Sequence, residues 1–254
     1  MRVELANISY KINKKSLIEN ICMNINPKEF VGLIGPNGSG KSTILKCIYR
    51  VLKPSNGAIF FDGQNITELS IKESALKVAV VVQHNFTSFD FDVLDVVLMG
   101  RSPYKRLMEA DNKNDYDIAH QALVIVGLEG FSKRKISTLS GGERQRVIIA
   151  RALAQKTPCL ILDEPINHLD IKFQLQTMDM IKKMNVTVIA AIHDLNIAAT
   201  YCDNIYAINN GRIVAQGKPA QIFTTEFIHD IFGVQAKVET CSETGFVNIL
   251  YRNV

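Results

Sequence analysis

The chain has 254 residues, 47% apolar and 21% charged, with a formal net charge of +4. That is enough chain to bury a sizeable core, and its basic residues are too dispersed to form a nucleic-acid-binding arm, so a globular fold without a nucleic-acid partner is expected. Its five cysteines are scattered and form no C-x-x-C pair, which argues against a zinc site or a disulfide framework and for a reducing cytosol.

The N-terminus, "MRVELANISY", alternates like a strand and lacks the pattern of a signal peptide. Further strands are predicted at "ICMNI", "FVGLIG" and, after a Pro-Ser-Asn-Gly turn, "AIFFDG". "KSTILKCIYRVL" has the apolar spacing of a helix, and "VAVVV" at 78–82 reads as a strand buried on both faces. No apolar run approaches the ~18 residues that a spanning helix needs, so any membrane crossing is left to a partner.

From about Asn85 to Lys156 the pattern turns helical, through "VLDVVLMG", "YDIAHQALVIVGL" and "GERQRVIIARALAQ". Strands resume at "CLILDEP", "VTVIAAIHD" and "NIYAINNG", with the helical "KFQLQTMDMIKKM" between the first two. Strands alternating with helices predict an α/β fold with a mostly parallel sheet, interrupted by a helical insertion. After Gly217 a short helix-and-strand tail is expected.

Gly35, Pro36, Asn37, Gly38, Ser39, Gly40, Lys41 and Ser42 fit the pattern G-x-x-x-x-G-K-S/T, between the strand "VGLI" and a helix. That context defines a P-loop. Glycines let backbone N–H groups approach phosphates, and the helix N-terminus favours negative charge. Lys41 supplies a point charge to the β- and γ-phosphates, Ser42 a hydroxyl for Mg²⁺, and Thr43 a contact to the α-phosphate. The second metal contact that such proteins need, usually a carboxylate ending a buried strand, is predicted at "CLILDE", with Asp163 in the Mg²⁺ shell. Glu164, its strand neighbour and so turned the other way, is assigned to polarising the attacking water.

"STLSGGERQR" then raises a problem, because Ser140, Gly141 and Gly142 open another helix and form a second phosphate cradle. One P-loop with Mg²⁺ already covers much of a γ-phosphate. A second cradle makes sense if it closes over nucleotide held by another copy of the chain.

"LSGGERQR", lying between the P-loop and "LILDEP", resembles the signature motif of the ABC (ATP-binding cassette) ATPases, and the likeness runs from Tyr10 to about Gly217. The resemblance implies a P-loop (RecA-like) core with an antiparallel β subdomain on its N-terminal side and an inserted helical subdomain. It places residues 1–84 in the first part of the core, 85–157 in the helical signature subdomain, 158–217 in the second part of the core and 218–254 in a tail. It implies a head-to-tail homodimer binding ATP and Mg²⁺, with each signature loop completing the other copy's site.

Residue by residue, Tyr10 matches the aromatic that stacks on adenine, and Gln83 the glutamine that touches Mg²⁺ and water. Asp170, in "INHLD", matches the residue near the partner's P-loop; Ile166 stands where Thr or Ser is commoner. His193 matches the histidine that contacts the γ-phosphate. His84, His120, His168 and His229 are read as structural or peripheral.

"VLDVVLMGRSPY", "RQRVIIARALAQ" and "IHDLNIAATYCD" are similar to the ATPase subunits of iron–siderophore, haem and cobalamin importers. That resemblance implies a peripheral location on the cytoplasmic face of the cell membrane, bound to a polytopic permease fed by an extracytoplasmic binding protein. The stretch from Gln83 to Arg101 would receive the permease's coupling helix. A soluble regulatory ABC ATPase is the alternative, and a P-loop kinase ranks behind it because it leaves "LSGGERQR" unexplained.

Overall fold

A computed structural model describes residues 1–13, 15–82, 91–106, 108–166, 169–241 and 245–252. Strands β1 (Val3–Ile12), β2 (Lys15–Ile25) and β3 (Phe30–Ile34) lead to helix α1 (Lys41–Ile48), and β4 (Asn56–Phe61) and β5 (Gln64–Asn65) follow. Next come α2 (Ile71–Lys77), β6 (Val78–Val81), α3 (Val93–Leu98), α4 (Lys113–Ile125) and α5 (Gly141–Ala154), then β7 (Cys159–Asp163) and α6 (Ile171–Lys183). The remainder holds β8 (Thr187–Ala191), α7 (Leu195–Tyr201), β9 (Asn204–Asn209) and β10 (Arg212–Gly217). It ends with α8 (Pro219–Ile222), α9 (Thr225–Phe232) and the strands β11 (Ala236–Thr240) and β12 (Val247–Tyr251).

These elements form two compact units, Met1–Glu68 with Thr187–Val254, and Leu69–Val186. In the first unit, β2-β1-β4-β5 make an antiparallel sheet. Beside it β3 pairs in parallel with both β8 and β9, and β10 closes on β9 antiparallel. Every residue of β3 and of β8 is buried, which accounts for their unbroken apolar character. The tail supplies the hairpin β11–β12, tied to α7 by the Asn196 side chain, which donates to the Ile249 carbonyl oxygen at 3.1 Å and accepts from Ile249 N at 2.8 Å.

The second unit joins a parallel pair, β6 and β7, to the helices expected between them and to α2 and α6. Helix α4 buries Ile118, Ala119, Ala122 and Leu123, and α5 buries Val147 to Ala150 together with Ala152 to Ala154. Arg101 and Asp115 are also buried here, at 5% and 3% exposure. Asp115 accepts from Arg101 Nε at 3.1 Å and from Lys105 Nζ at 2.8 Å, and Arg101 also donates to the Ala154 carbonyl oxygen at 2.7 Å. One carboxylate thus joins the segment after α3 to α4, and Arg101 carries the tie to the end of α5. Among the described residues no helix is long and apolar enough to cross a membrane. None of the five cysteines is joined in a disulfide.

Candidate nucleotide site

The P-loop is built between the end of β3 and the start of α1. Gly35 has φ 143°, and a Cβ there would collide with the Ile208 carbonyl oxygen of β9, so the strand must pass into the loop on glycine. Gly40 is the N-cap of α1 at φ 113°, and no side chain caps this helix end. A helix that opens uncapped on a glycine presents its N-terminal dipole and amides to an anion.

Lys41 is 5% exposed and donates to the carbonyl oxygens of Gly35 at 2.8 Å and Pro36 at 3.0 Å. The loop therefore curls around the ammonium group. Ser39 is buried, and its Oγ has no hydrogen-bond partner among the described residues. A buried hydroxyl in that state favours an added polar ligand. Ser42 and Thr43 lie half-buried in the first turn of α1, and Asn37 and Gly38 are exposed at the loop's tip.

Tyr10 is half-buried on β1 opposite Ile18, and the strand runs on to Ile12 rather than closing at the tyrosine. His193 is exposed, two residues beyond the end of β8. The strand stops short of it because Asp194 is the N-cap of α7, accepting from the backbone N–H groups of Asn196 at 2.8 Å and Ile197 at 3.1 Å.

In the second unit Asp163 is the last residue of β7, and Glu164 follows it with φ 56°. That left-handed backbone is uncommon for a residue with a side chain and turns Glu164 sharply off the strand axis. Ser140 is the N-cap of α5. Its Oγ accepts from Glu143 N at 3.3 Å, while Ser140 N donates to Glu143 Oε2 at 2.7 Å. The serine is thus committed to a capping box, and Gly141 is left exposed at the helix tip, with nothing among the described residues within 4 Å of where a Cβ would sit. The backbone hydrogen bond from Ser140 holds the Glu143 carboxyl below its usual range.

Asp170 caps α6, accepting from Phe173 N at 3.1 Å. Ile166 is buried, so an apolar side chain suits that position. His120 and His229 are on the surface, whereas Gln83, His84 and His168 lie outside the described residues. Within the 83–101 stretch, Phe91 and Met99 are exposed while Arg101 is turned inward.

Two polar residues not anticipated from sequence bind the backbone that follows Glu164. Gln145, on α5, donates through Nε2 to the Pro165 carbonyl oxygen at 2.8 Å. Gln174, on α6, donates to the carbonyl oxygens of Leu169 at 3.0 Å and Ile166 at 3.3 Å. The string "GERQR" displays Gln145, but its partner is 20 residues away and only folding brings them together.

A P-loop on a mostly parallel α/β core, with a second glycine-opened helix in a helical insertion, defines a nucleotide-binding ATPase cassette. The chain belongs to the ABC transporter family, whose model matches residues 18–167. It is similar to the petrobactin import ATP-binding protein of Bacillus anthracis, 37% identical over 248 residues that span 96% of this chain and 91% of the relative. Among solved structures it resembles a metal-chelate type ABC transporter in an inward-facing conformation, with TM-score 0.85 and 25% identity over 99% of this chain and 97% of that one. It also resembles a dimeric bacterial ABC transporter cassette, with TM-score 0.75 and 31% identity over 85% of this chain and 98% of that one.

Proposed function

We propose that the chain is the ATP-hydrolysing subunit of a membrane importer for a metal chelate of the iron–siderophore, haem or cobalamin kind. The observation that carries this reading is one chain holding both a complete P-loop on α1 and an exposed glycine-opened signature helix, α5. The petrobactin-import relative and the metal-chelate transporter support the cargo class. The dimeric cassette supports a homodimer in which the signature loop of one copy covers ATP on the other's P-loop.

In this reading the P-loop amides and Lys41 bind the β- and γ-phosphates, Thr43 the α-phosphate, and Tyr10 stacks on the adenine. Ser140, Gly141 and Gly142 reach the partner's γ-phosphate, with Asp170 near the partner's P-loop. Ser42, Gln83 and Asp163 would hold Mg²⁺; a hydroxyl, an amide and a carboxylate are the hard oxygen donors that this ion takes. When bound, Mg²⁺ neutralises charge on the phosphate oxygens. Glu164 orients and polarises the attacking water, and His193 contacts the γ-phosphate. Loss of that phosphate removes the signature loop's partner and lets the dimer reopen, at roughly 1.5–3 kcal/mol for each charged hydrogen bond released.

The subunit is peripheral, attached to the membrane through a permease that an extracytoplasmic binding protein loads. Purifying the tagged chain from native membranes in mild detergent tests the assignment. A polytopic permease in equal amount supports the importer, and repeated recovery with soluble proteins alone overturns it in favour of a regulatory ATPase.

A further inference from the structure

The loop behind Glu164 is held from two sides, and the two sides differ in what they connect. From α6 the grip is local: Gln174 binds the Ile166 and Leu169 carbonyl oxygens, and Asp170 caps the helix that Gln174 stands on. From α5 it is long-range: Gln145 Nε2 donates to the Pro165 carbonyl oxygen at 2.8 Å. Pro165 is buried and has no N–H, so this carbonyl is its only backbone hydrogen-bonding group, and burial requires it to find a donor. One turn earlier on α5, a Cβ at Gly142 would lie 3.3 Å from Leu169 Cδ2. The first turns of the signature helix therefore touch this loop at both of its described ends.

Glu164 itself sits at φ 56° immediately before a proline. A side-chain-bearing residue reaches that backbone only where its surroundings impose it, and a following proline narrows the choice further. The Pro165 carbonyl is the next acceptor along the chain from the Glu164 peptide. Fixing it limits how the peptide after Glu164 turns, and so where the carboxylate points.

We propose that Gln145 is a positioning residue for ATP hydrolysis, tying the orientation of Glu164 to the helix that carries the signature glycines. This rests on the reading of Glu164 and of the signature loop given above. Nucleotide gripped by Gly141 and Gly142 in the partner's site then sets the α5 helix, and Gln145 passes that setting to the carboxylate of its own chain. The role is separate from ATP binding, because Gln145 contacts the backbone behind Glu164.

Gln145→Leu, which keeps the volume and removes the donor, tests this in the full-length chain prepared from membranes with whatever co-purifies. The expected result is a kcat reduced about tenfold, equivalent to about 1.4 kcal/mol, with the KM for ATP unchanged and a modest fall in melting temperature from the one hydrogen bond lost. Gln145→Lys, which restores a donor of similar reach, should recover most of the lost rate. An unchanged kcat, a parallel change in KM, or a lysine variant no better than leucine overturns the proposal. Should the leucine variant not fold, Gln145→Asn, whose amide is too short, must lower kcat at fixed KM or the proposal is wrong. Glu164→Gln run alongside separates the two levels. If that variant turns over normally, the reading of Glu164 falls; if it is inactive while Gln145→Leu is not, this proposal alone falls.

Discussion

Lys41 Nζ donates to the carbonyl oxygen of Gly35 across 2.8 Å, so the P-loop's only lysine closes the loop on itself. The interaction places a buried cation where phosphate is to bind, held by neutral carbonyls. A phosphate bound there would accept charge-assisted hydrogen bonds from this ammonium group, which are among the stronger kind. Lys41→Met should therefore weaken ATP binding by about ten- to a hundredfold, the worth of a charged hydrogen bond. Its folding stability should fall by about 1–3 kcal/mol, because the Gly35 and Pro36 carbonyl oxygens lose their donor. Calorimetric titration with ATP beside a thermal melt checks both halves, and a large loss of stability with normal affinity would make the lysine structural.

Glu164→Gln keeps the shape of the residue at φ 56° and removes its charge. The expected outcome is preserved ATP binding, turnover lowered by at least about a hundredfold as for loss of a general base, and accumulation of a closed dimer. Size-exclusion chromatography with and without ATP reads the dimer, and phosphate release reads turnover. Rapid hydrolysis by this variant would remove Glu164 from the chemistry.

Much of the site was legible in the sequence because its chemistry sits in contiguous strings. The P-loop needs Gly35 and Gly40 at fixed spacing and a helix directly after them, and all of it is local. The same holds for β3 and β7, whose unbroken apolar runs announce burial on both faces. What stayed hidden depends on long-range partners. Gln145 finds Pro165 only through packing of α5, and Arg101 finds Asp115 only because α4 folds back beside it. The short α2 has no buried residue and therefore no strong periodicity to read, though its Ser70–Glu73 capping box was in plain view. His193 lies beyond its strand because a local side-chain cap, Asp194, outcompetes β pairing there.

The Arg101–Asp115–Lys105 cluster predicts acid behaviour. Burial alone would raise the Asp115 carboxyl, but hydrogen bonds from Lys105, Asn112 and Arg101 outweigh it and lower its pKa to about 2. An aspartate in the unfolded chain titrates near about 3.9. Because the folded value is the lower one, the stabilisation is fully present above pH ~4 and is lost as pH falls towards ~2. Urea midpoints measured from pH 5 to pH 2 for the parent and Asp115→Asn should converge through that window; parallel curves would refute the linkage. Arg101→Leu at neutral pH leaves the carboxylate buried with one of its three donors gone, and should cost about 3 kcal/mol.

The tail makes a different kind of contact. Asn196 on α7 gives and receives a hydrogen bond with Ile249, closing a two-way amide clamp of the sort that adds a strand to an exposed edge, here from a side chain. The hairpin it holds is only five residues long on each side, β11 and β12, and Leu250 and Tyr251 on β12 are about half exposed. A two-stranded hairpin this short is marginal by itself, so its order depends on what anchors it. Asn196→Ala removes both bonds at once and leaves the Ile249 N–H and C=O without that partner, a loss of about 1–3 kcal/mol. Because the P-loop lies on α1 and β3, away from these bonds in the chain, ATP affinity should be unchanged while amide exchange across 236–252 accelerates. Exchange that stays slow in the variant would show that the hairpin is held by its apolar contacts, with Val247 and Ile249 buried beneath it, rather than by the clamp.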